Sequence, residues 1–230
     1  MRALLLLPAL LLAGPPGAPD GERQAREAMV QEQLEARGIR DRAVLAAFRA
    51  LPRHPFVPPE FRAQAHADQP LPIGQGQTLS QPFVVALMLQ ALDLRPGHRV
   101  LEVGSGSGYV LALLDRMDCR AFGIELEASL CEASRRTLSA VEAGQVQVRC
   151  GDGFAGWPEE APFDAVILSC AVPEIPEPLW RQLKVGGRLV APVGAGEQEL
   201  VLVRRTARGR EERRLSAVRF VPMRRPAPRR

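Results

Sequence analysis

Glu102, Gly104, Gly106 and Gly108 stand at alternate positions of Glu102-Val103-Gly104-Ser105-Gly106-Ser107-Gly108, directly after the apolar pair Val100-Leu101. An apolar run ending in glycines reads as a strand turning into a helix. A helix from Tyr109 would aim its unpaired N–H groups back at the loop. Glycine lets the backbone approach a flat, nucleotide-like ligand where a Cβ would intrude. The spacing excludes the dinucleotide fingerprint, whose third glycine would fall at Tyr109. It also excludes the P-loop, which needs a Gly-Lys-Ser/Thr end. The loop therefore marks a nucleotide-like pocket of neither kind, with an acid, Glu102, at its mouth. Without a ligand the same residues are only a glycine-rich turn.

Two further acids fall where a parallel sheet presents its strand ends. Glu125 closes the next apolar run, 21 residues after Gly104, where a carboxylate can accept both hydroxyls of a ribose. Asp152, in Gly151-Asp152-Gly153, follows the third run and is placed to accept from an adenine amino group. Asp164 opens a fourth run and reads as a backbone cap. Each acid taken alone is an ordinary turn residue. The ordered set of glycine loop, Glu125 and Asp152 points to one adenosine-like pocket, with Ser105 and Gly153 beside it.

The elements that must position these residues follow a strand–helix rhythm. Strands are expected at 99–103, 120–125, 146–150, 164–169 and 187–193, with helices at 109–117, 127–142 and 176–183. That is the alternation of a doubly wound, mostly parallel α/β sheet, and ligands of such sheets sit at the carboxyl ends of the strands. Apolar stretches at 199–203 and 215–221 around a charged turn predict a C-terminal antiparallel hairpin. Upstream, 23–37 reads as an amphipathic helix ending at Gly38. Asp41 caps a second helix carrying Val44, Leu45 and Phe48. Residues 66–82 hold three prolines and few apolar side chains; they read as a long polar loop before a helix at 83–92, and such loops are often functional. The expected organisation is a hydrophobic leader and Pro/Gly linker at 1–22, a helical, substrate-binding region at 23–98, a nucleoside-binding core at 99–223 and a basic tail at 224–230.

From Arg204 to Arg230 eleven arginines face only Glu211 and Glu212, a balance of +9 that leaves −5 for the rest of a chain whose net charge is +4. No aromatic residues interleave for base stacking, so the region reads as a solvated edge and tail, and no nucleic-acid partner is expected. Cys119, Cys131, Cys150 and Cys170 form no C-x-x-C pair and the three histidines no ligand spacing. Reduced thiols and no metal are therefore expected. The Leu-rich run at 3–13 resembles a secretory h-region, yet it is too short to span a bilayer and its cleavage options are poor. Cytoplasmic residence is favoured, with export through residues 2–18 as the alternative. Neither stable membrane insertion nor oligomerisation is expected.

The most specific stretch is Pro70-Leu71-Pro72-Ile73-Gly74-Gln75-Gly76-Gln77-Thr78-Leu79-Ser80-Gln81-Pro82. Together with Gly38-Ile39, Phe56-Val57-Pro58, Gly151-Asp152-Gly153, Ala161-Pro162-Phe163-Asp164, Pro173-Glu174-Ile175-Pro176 and Val218-Arg219-Phe220-Val221-Pro222, it resembles the protein-L-isoaspartate O-methyltransferase family from about Arg26 to Met223. The Glu-x-Gly-x-Gly-x-Gly loop likewise resembles motif I of S-adenosylmethionine-dependent methyltransferases.

The resemblance implies a Rossmann-like methyltransferase fold and S-adenosyl-L-methionine as methyl donor, held by Glu102, Gly104, Ser105, Gly106, Gly108, Glu125, Asp152 and Gly153. It implies isoaspartyl peptides and proteins as acceptors, with Ser80 as the active-site serine and Ile73, Gln77 and Thr78 lining the groove. The acceptor carboxylate is already ionised at neutral pH, so no general base is needed. Transfer to another carboxylate or a small molecule is the alternative reading. Ser80 can also be read as the cap of the 83–92 helix, and the backbone of 218–221 as an edge for an extended peptide. His66 replaces the aromatic residue of many members, Leu79 the usual isoleucine, and Ser169-Cys170-Ala171-Val172-Pro173 a more typical Ala-Ala-Pro run.

Overall fold

The computed structural model describes residues 19–226; the expectations for the leader and for the last four residues lie outside them. The amphipathic N-terminal stretch starts earlier than its charge pattern predicts, as helix α1 (Pro19–Ala28), and continues through a π-helical turn at Met29–Leu34 and a 3-10 turn at Glu35–Arg37. The wider turn buries Met29, Val30 and Leu34 together. Gly38, at φ +94°, ends it as expected. Asp41 caps α2 (Arg42–Ala50) by accepting from the Ala43 and Val44 N–H groups, and Val44, Leu45 and Phe48 are buried.

Residues 66–82 are more ordered than a loop. β1 (Leu71–Gly74) and β2 (Gln77–Leu79) form a small antiparallel hairpin, with Gly74 opposite Gln77. Gln75 and Gly76 both adopt positive φ, +54° and +69°, the conformation of a tight primed turn. The composition conceals these strands because they are only four and three residues long and one contains Pro72. They pair with each other alone, which is where a strand proline is tolerated. α3 (Pro82–Leu92) follows and is tied to the start of α2, since Gln90 Oε1 accepts from the Arg40 and Asp41 N–H groups at 2.6 and 3.0 Å.

The main sheet contains β3 (Arg99–Val103), β4 (Arg120–Glu125), β5 (Val146–Cys150), β6 (Phe163–Leu168), β7 (Leu183–Val193), β8 (Gln198–Thr206) and β9 (Gly209–Val218) in the order β5-β4-β3-β6-β7-β8-β9. The first five positions run parallel, and β8 and β9 are antiparallel. Helices α4 (Tyr109–Arg116), α5 (Ala128–Ala140) and α6 (Glu177–Arg181) make the crossovers. Side chains alternate between two apolar cores. Val100, Ala165 and Ile167 join one, while Leu101, Val103, Val166 and Leu168 join the other. Each large apolar side chain so enclosed contributes about 1.5–3 kcal/mol. Asp164 orients backbone as expected: its Oδ2 accepts from the Arg99 N–H at 2.8 Å and its Oδ1 from Lys184 Nζ at 2.7 Å.

The C-terminal hairpin is longer than its apolar stretches suggest. β9 carries six consecutive exposed residues from Gly209 to Arg214 and is the sheet edge, so charge rather than alternation marks it. The expectation of reduced thiols is corrected. Cys131 on α5 and Cys150 at the end of β5 form a disulfide, whereas Cys119 and Cys170 are free and buried. The 19-residue separation hides the pair; it meets because α5 packs back on the strand that follows it. Among the described residues, no helix is long and apolar enough to cross a membrane.

Candidate active site

β3 lies between β4 and β6, so the chain reverses its direction of sheet growth there and the crevice opens at the carboxyl ends of these strands. The Gly104 and Ser105 N–H groups both donate to the Ile124 carbonyl, at 2.8 and 3.2 Å, which curls the loop over the end of β4. Glu125 then fixes it. One carboxylate oxygen accepts from the Gly106 N–H at 2.8 Å and the other from the Glu127 N–H at 2.9 Å. Gly106 adopts φ +51°, and a Cβ there would lie 3.0 Å from Ile73 Cδ1. The Ile73 side chain of the hairpin thus reaches the loop at a glycine. At Gly153 a Cβ would meet Val103 Cγ1 at 2.4 Å, so the opposite wall is also backbone.

The resulting cleft is lined by Ile73, Gln77, Thr78, Gly104, Gly106, Glu125, Gly151, Gly153, Ser169 and Cys170, and roofed by Val221–Arg224. The roof is held by backbone, because the Ala171 N–H donates to the Val221 carbonyl and the Met223 N–H to the Ala171 carbonyl, each at 2.8 Å. A second groove of about 470 Å³ adjoins it, lined by Pro70, Thr78, Ser80, Gln81, Val84, Ser169 and the 217–221 segment. Thr78, Ser169 and Val221 line both.

Glu102 is buried and lines neither space, bordering a smaller third cavity instead. Its Oε1 accepts from Ser169 Oγ at 2.6 Å, and its Oε2 is buried without a partner. Burial pushes this carboxyl up to about 8; the Ser169 hydrogen bond opposes the shift and nearby Glu125 adds to it. The hydroxyls of Ser105 and Ser107 are likewise buried and unpartnered. That cavity, between the loop and Ser80, is lined by Glu102, Ser105, Ser107 and Tyr109. Such a set of orphaned acceptors and donors fits a ligand bearing an ammonium group. The Cys170 thiol, pushed up to about 12 by burial, is not a nucleophile at neutral pH.

The remaining expected residues are distributed less evenly. Asp152 uses Oδ1 to accept from the Phe154 N–H at 2.9 Å, capping a short 3-10 turn, while its neighbours Gly151 and Gly153 line the cleft. Gly108 caps α4 at φ +86° and packs toward Leu138, with no place in the cleft lining. Ile73 and Gln77 line the glycine-loop cleft rather than the groove beside Ser80. Ser80 is not the cap of α3: that position is Gln81, and it makes no side-chain cap bond. Nor is the whole 218–221 backbone free to pair with a peptide, because Phe220 exchanges two hydrogen bonds with the Gln198 side chain and the Val221 carbonyl is taken by Ala171. Sequence reasoning missed Ser169, Met223 and Arg53, the last of which donates to the Ser80 carbonyl. Ser169 had a signal in its position at the end of β6; Arg53, alone between Pro52 and His54, had none.

A family model described as Protein-L-isoaspartate(D-aspartate) O-methyltransferase (PCMT) matches residues 24–226. A Protein-L-isoaspartate O-methyltransferase 2 of Anaeromyxobacter sp. (strain Fw109-5) is 55% identical over 238 residues, covering 97% of this chain and 98% of the relative. The Protein-L-isoaspartate O-methyltransferase of Methylorubrum populi is 55% identical over 201 residues, covering 86% and 94%. A solved protein-L-isoaspartate O-methyltransferase superposes with a TM-score of 0.78 at 29% identity, over 86% of this chain and 65% of that one. A Plasmodium falciparum structure in complex with S-adenosyl-L-homocysteine shares the fold, with a TM-score of 0.75 at 24% identity over 87% and 99%.

Proposed function

The chain belongs to the protein-L-isoaspartate O-methyltransferase family, and from that premise we infer that its two adjoining clefts divide donor from acceptor. The reaction is transfer of a methyl group from S-adenosyl-L-methionine to the free α-carboxylate of an L-isoaspartyl residue. The observation that carries the assignment is the junction of the clefts at Thr78, Ser169 and Val221, which line both. A methyl group can cross only where the two spaces meet.

Bound S-adenosyl-L-methionine supplies a sulfonium methyl that an anionic oxygen can take by in-line displacement, leaving the electron pair on sulfur. Gly104, Gly106 and Gly153 let the main chain approach it, Glu125 stiffens the loop and accepts from the ribose, and Asp152 reads the adenine edge with the oxygen its cap bond leaves over. Glu102, backed by Ser105, receives the ammonium group, and Ile73 and Gln77 cover the ligand. Gly108 serves at one remove, by starting α4 behind the loop. On the acceptor side, the Ser80 hydroxyl donates to the substrate carboxylate and Thr78 flanks it. No proton has to be moved, since the acceptor is already ionised. Catalysis thus rests on alignment, worth up to about 7–11 kcal/mol, and on exclusion of water. The ester then closes to a succinimide as the neighbouring amide nitrogen displaces methanol.

Incubation with labelled S-adenosyl-L-methionine and matched isoaspartyl and aspartyl peptides tests this directly. Label confined to the isoaspartyl peptide is expected; equal labelling of both, or of neither, overturns the reading. We further infer a monomer, because the edge strand β9 is charged along its exposed length; sedimentation velocity checks it. The methyl donor is made in the cytosol, which favours a cytoplasmic enzyme. The Cys131–Cys150 disulfide favours the exported alternative. Mass spectrometry of the mature N-terminus separates the two.

A further inference from the structure

Arg53 is wholly enclosed, and among the described residues no carboxylate lies within ion-pair distance of it. Its Nε donates to the Ala65 carbonyl at 2.7 Å and its Nη2 to the Ser80 carbonyl at 2.8 Å. One guanidinium therefore joins the chain on either side of the β1–β2 hairpin. Its central carbon also sits 5.0 Å from the centre of the Tyr109 ring, the first residue of α4 after the glycine loop. Nη1 and the Tyr109 hydroxyl are both buried with no well-formed hydrogen bond, and the guanidinium and the phenol interact with each other. Burial draws the guanidinium down to about 10, which still leaves it charged at neutral pH. The two carbonyls need only neutral donors, so a full positive charge buried to satisfy them carries a desolvation cost that their pairing alone does not require.

We propose that Arg53 is a positioning residue for methyl transfer: its fork fixes the Ser80 main chain against the start of α4, and its buried charge favours an anionic acceptor beside Ser80. The proposal rests on the reading of the Ser80 groove as the acceptor site. It also separates two effects. The charge should act on acceptor binding, whereas the planar fork should act on alignment, where a displacement of about 1 Å costs on the order of 100-fold.

The test compares Arg53→Met and Arg53→Lys with the unaltered protein. Readouts are the melting temperature, the Kd for S-adenosyl-L-homocysteine by calorimetry, and kcat and KM for one isoaspartyl peptide. Arg53→Met is expected to lower kcat/KM by about 100-fold through both constants, while the Kd changes less than about threefold. Arg53→Lys, with the charge but not the fork, should keep KM within about threefold and lose about tenfold in kcat. A kcat/KM left intact in Arg53→Met overturns the proposal. So does a loss matched by equal weakening of S-adenosyl-L-homocysteine binding, since Arg53 would then be merely structural. Should Arg53→Met fail to fold, Arg53→Lys decides alone: reduced kcat with retained Kd supports the proposal, and unchanged kcat overturns it. If the unaltered protein itself fails to methylate the isoaspartyl peptide, the underlying reading falls; transfer that Arg53→Met leaves intact removes only this proposal.

Discussion

Glu102 holds a proton that the donor should displace. Its carboxyl stands at about 8 in the free protein, so it is mostly neutral at pH 7. An ammonium group beside Oε2 favours the carboxylate and pulls that value down, and the proton must leave as the ligand enters. Affinity for S-adenosyl-L-homocysteine is therefore expected to rise from pH 6 towards 8, by up to about tenfold per pH unit, and then to level off. Calorimetry at pH 7 in buffers of different ionisation enthalpy should report proton release. Glu102→Gln keeps the hydrogen bond from Ser169 but cannot ionise, so its affinity should be lower and independent of pH over that range. Gly106→Ala offers a steric counterpart: φ +51° strains any side chain there, and a Cβ 3.0 Å from Ile73 Cδ1 makes the Ile73 side chain give way. A loss of at least about tenfold in cofactor affinity, measured by the same titration, is expected. Glu102, Glu125 and the glycines were legible because strand ends in an α/β sheet are predictable places. Arg53 was not, because its meaning lies in two carbonyls 12 and 27 residues away and in a ring on another helix.

At the scale of elements, apolar runs located β3, β4 and α4 well, since each is almost wholly buried, and the alternating valines located β5 although none of its residues is fully buried. Such patterns failed where polar residues make structure. The β1–β2 hairpin buries only Leu71, Ile73 and Leu79, too few among prolines, glycines and polar residues to stand out as strands, and β9 is a strand despite six exposed residues in succession. The disulfide was illegible for a related reason: it records the packing of α5 on β5, which spacing alone does not reveal. Closing a loop of this size restricts the unfolded chain by about 3 kcal/mol. Cys150→Ser, or reduction of the unaltered protein, is accordingly expected to lower the melting temperature by several degrees in a thermal scan. Because Gly151 and Gly153 follow directly in the cleft wall, S-adenosyl-L-homocysteine binding should weaken as well; an unchanged Kd would show that the wall is set by β5 alone.

For the molecule as a whole, the uneven charge invites the idea of a nucleic-acid partner, and the structure supplies a reason to expect none. Three of the six arginines of the C-terminal hairpin are answered by acids on the surface. Arg204 faces Glu211 at 3.8 Å, Arg210 lies 2.9 Å from Glu212, and Arg214 lies 2.6 Å from Glu199. Arg224 pairs with Glu127 across the cleft roof at 2.7 Å, and Arg225 lies over the Phe154 ring, so the start of the tail belongs to the active-site wall. Exposed pairs of this kind add little stability, but they spread the positive charge instead of concentrating it in one stripe. At physiological salt the Debye length of about 8 Å screens what remains. Fluorescence anisotropy with a labelled single-stranded oligonucleotide at 0.15 M salt should therefore show no saturable binding. Weak association at 0.01 M that vanishes on adding salt would be the trace of the +9 region. Binding that survives 0.15 M salt would require a built nucleic-acid surface, and would return the arginines from solvated edge to function.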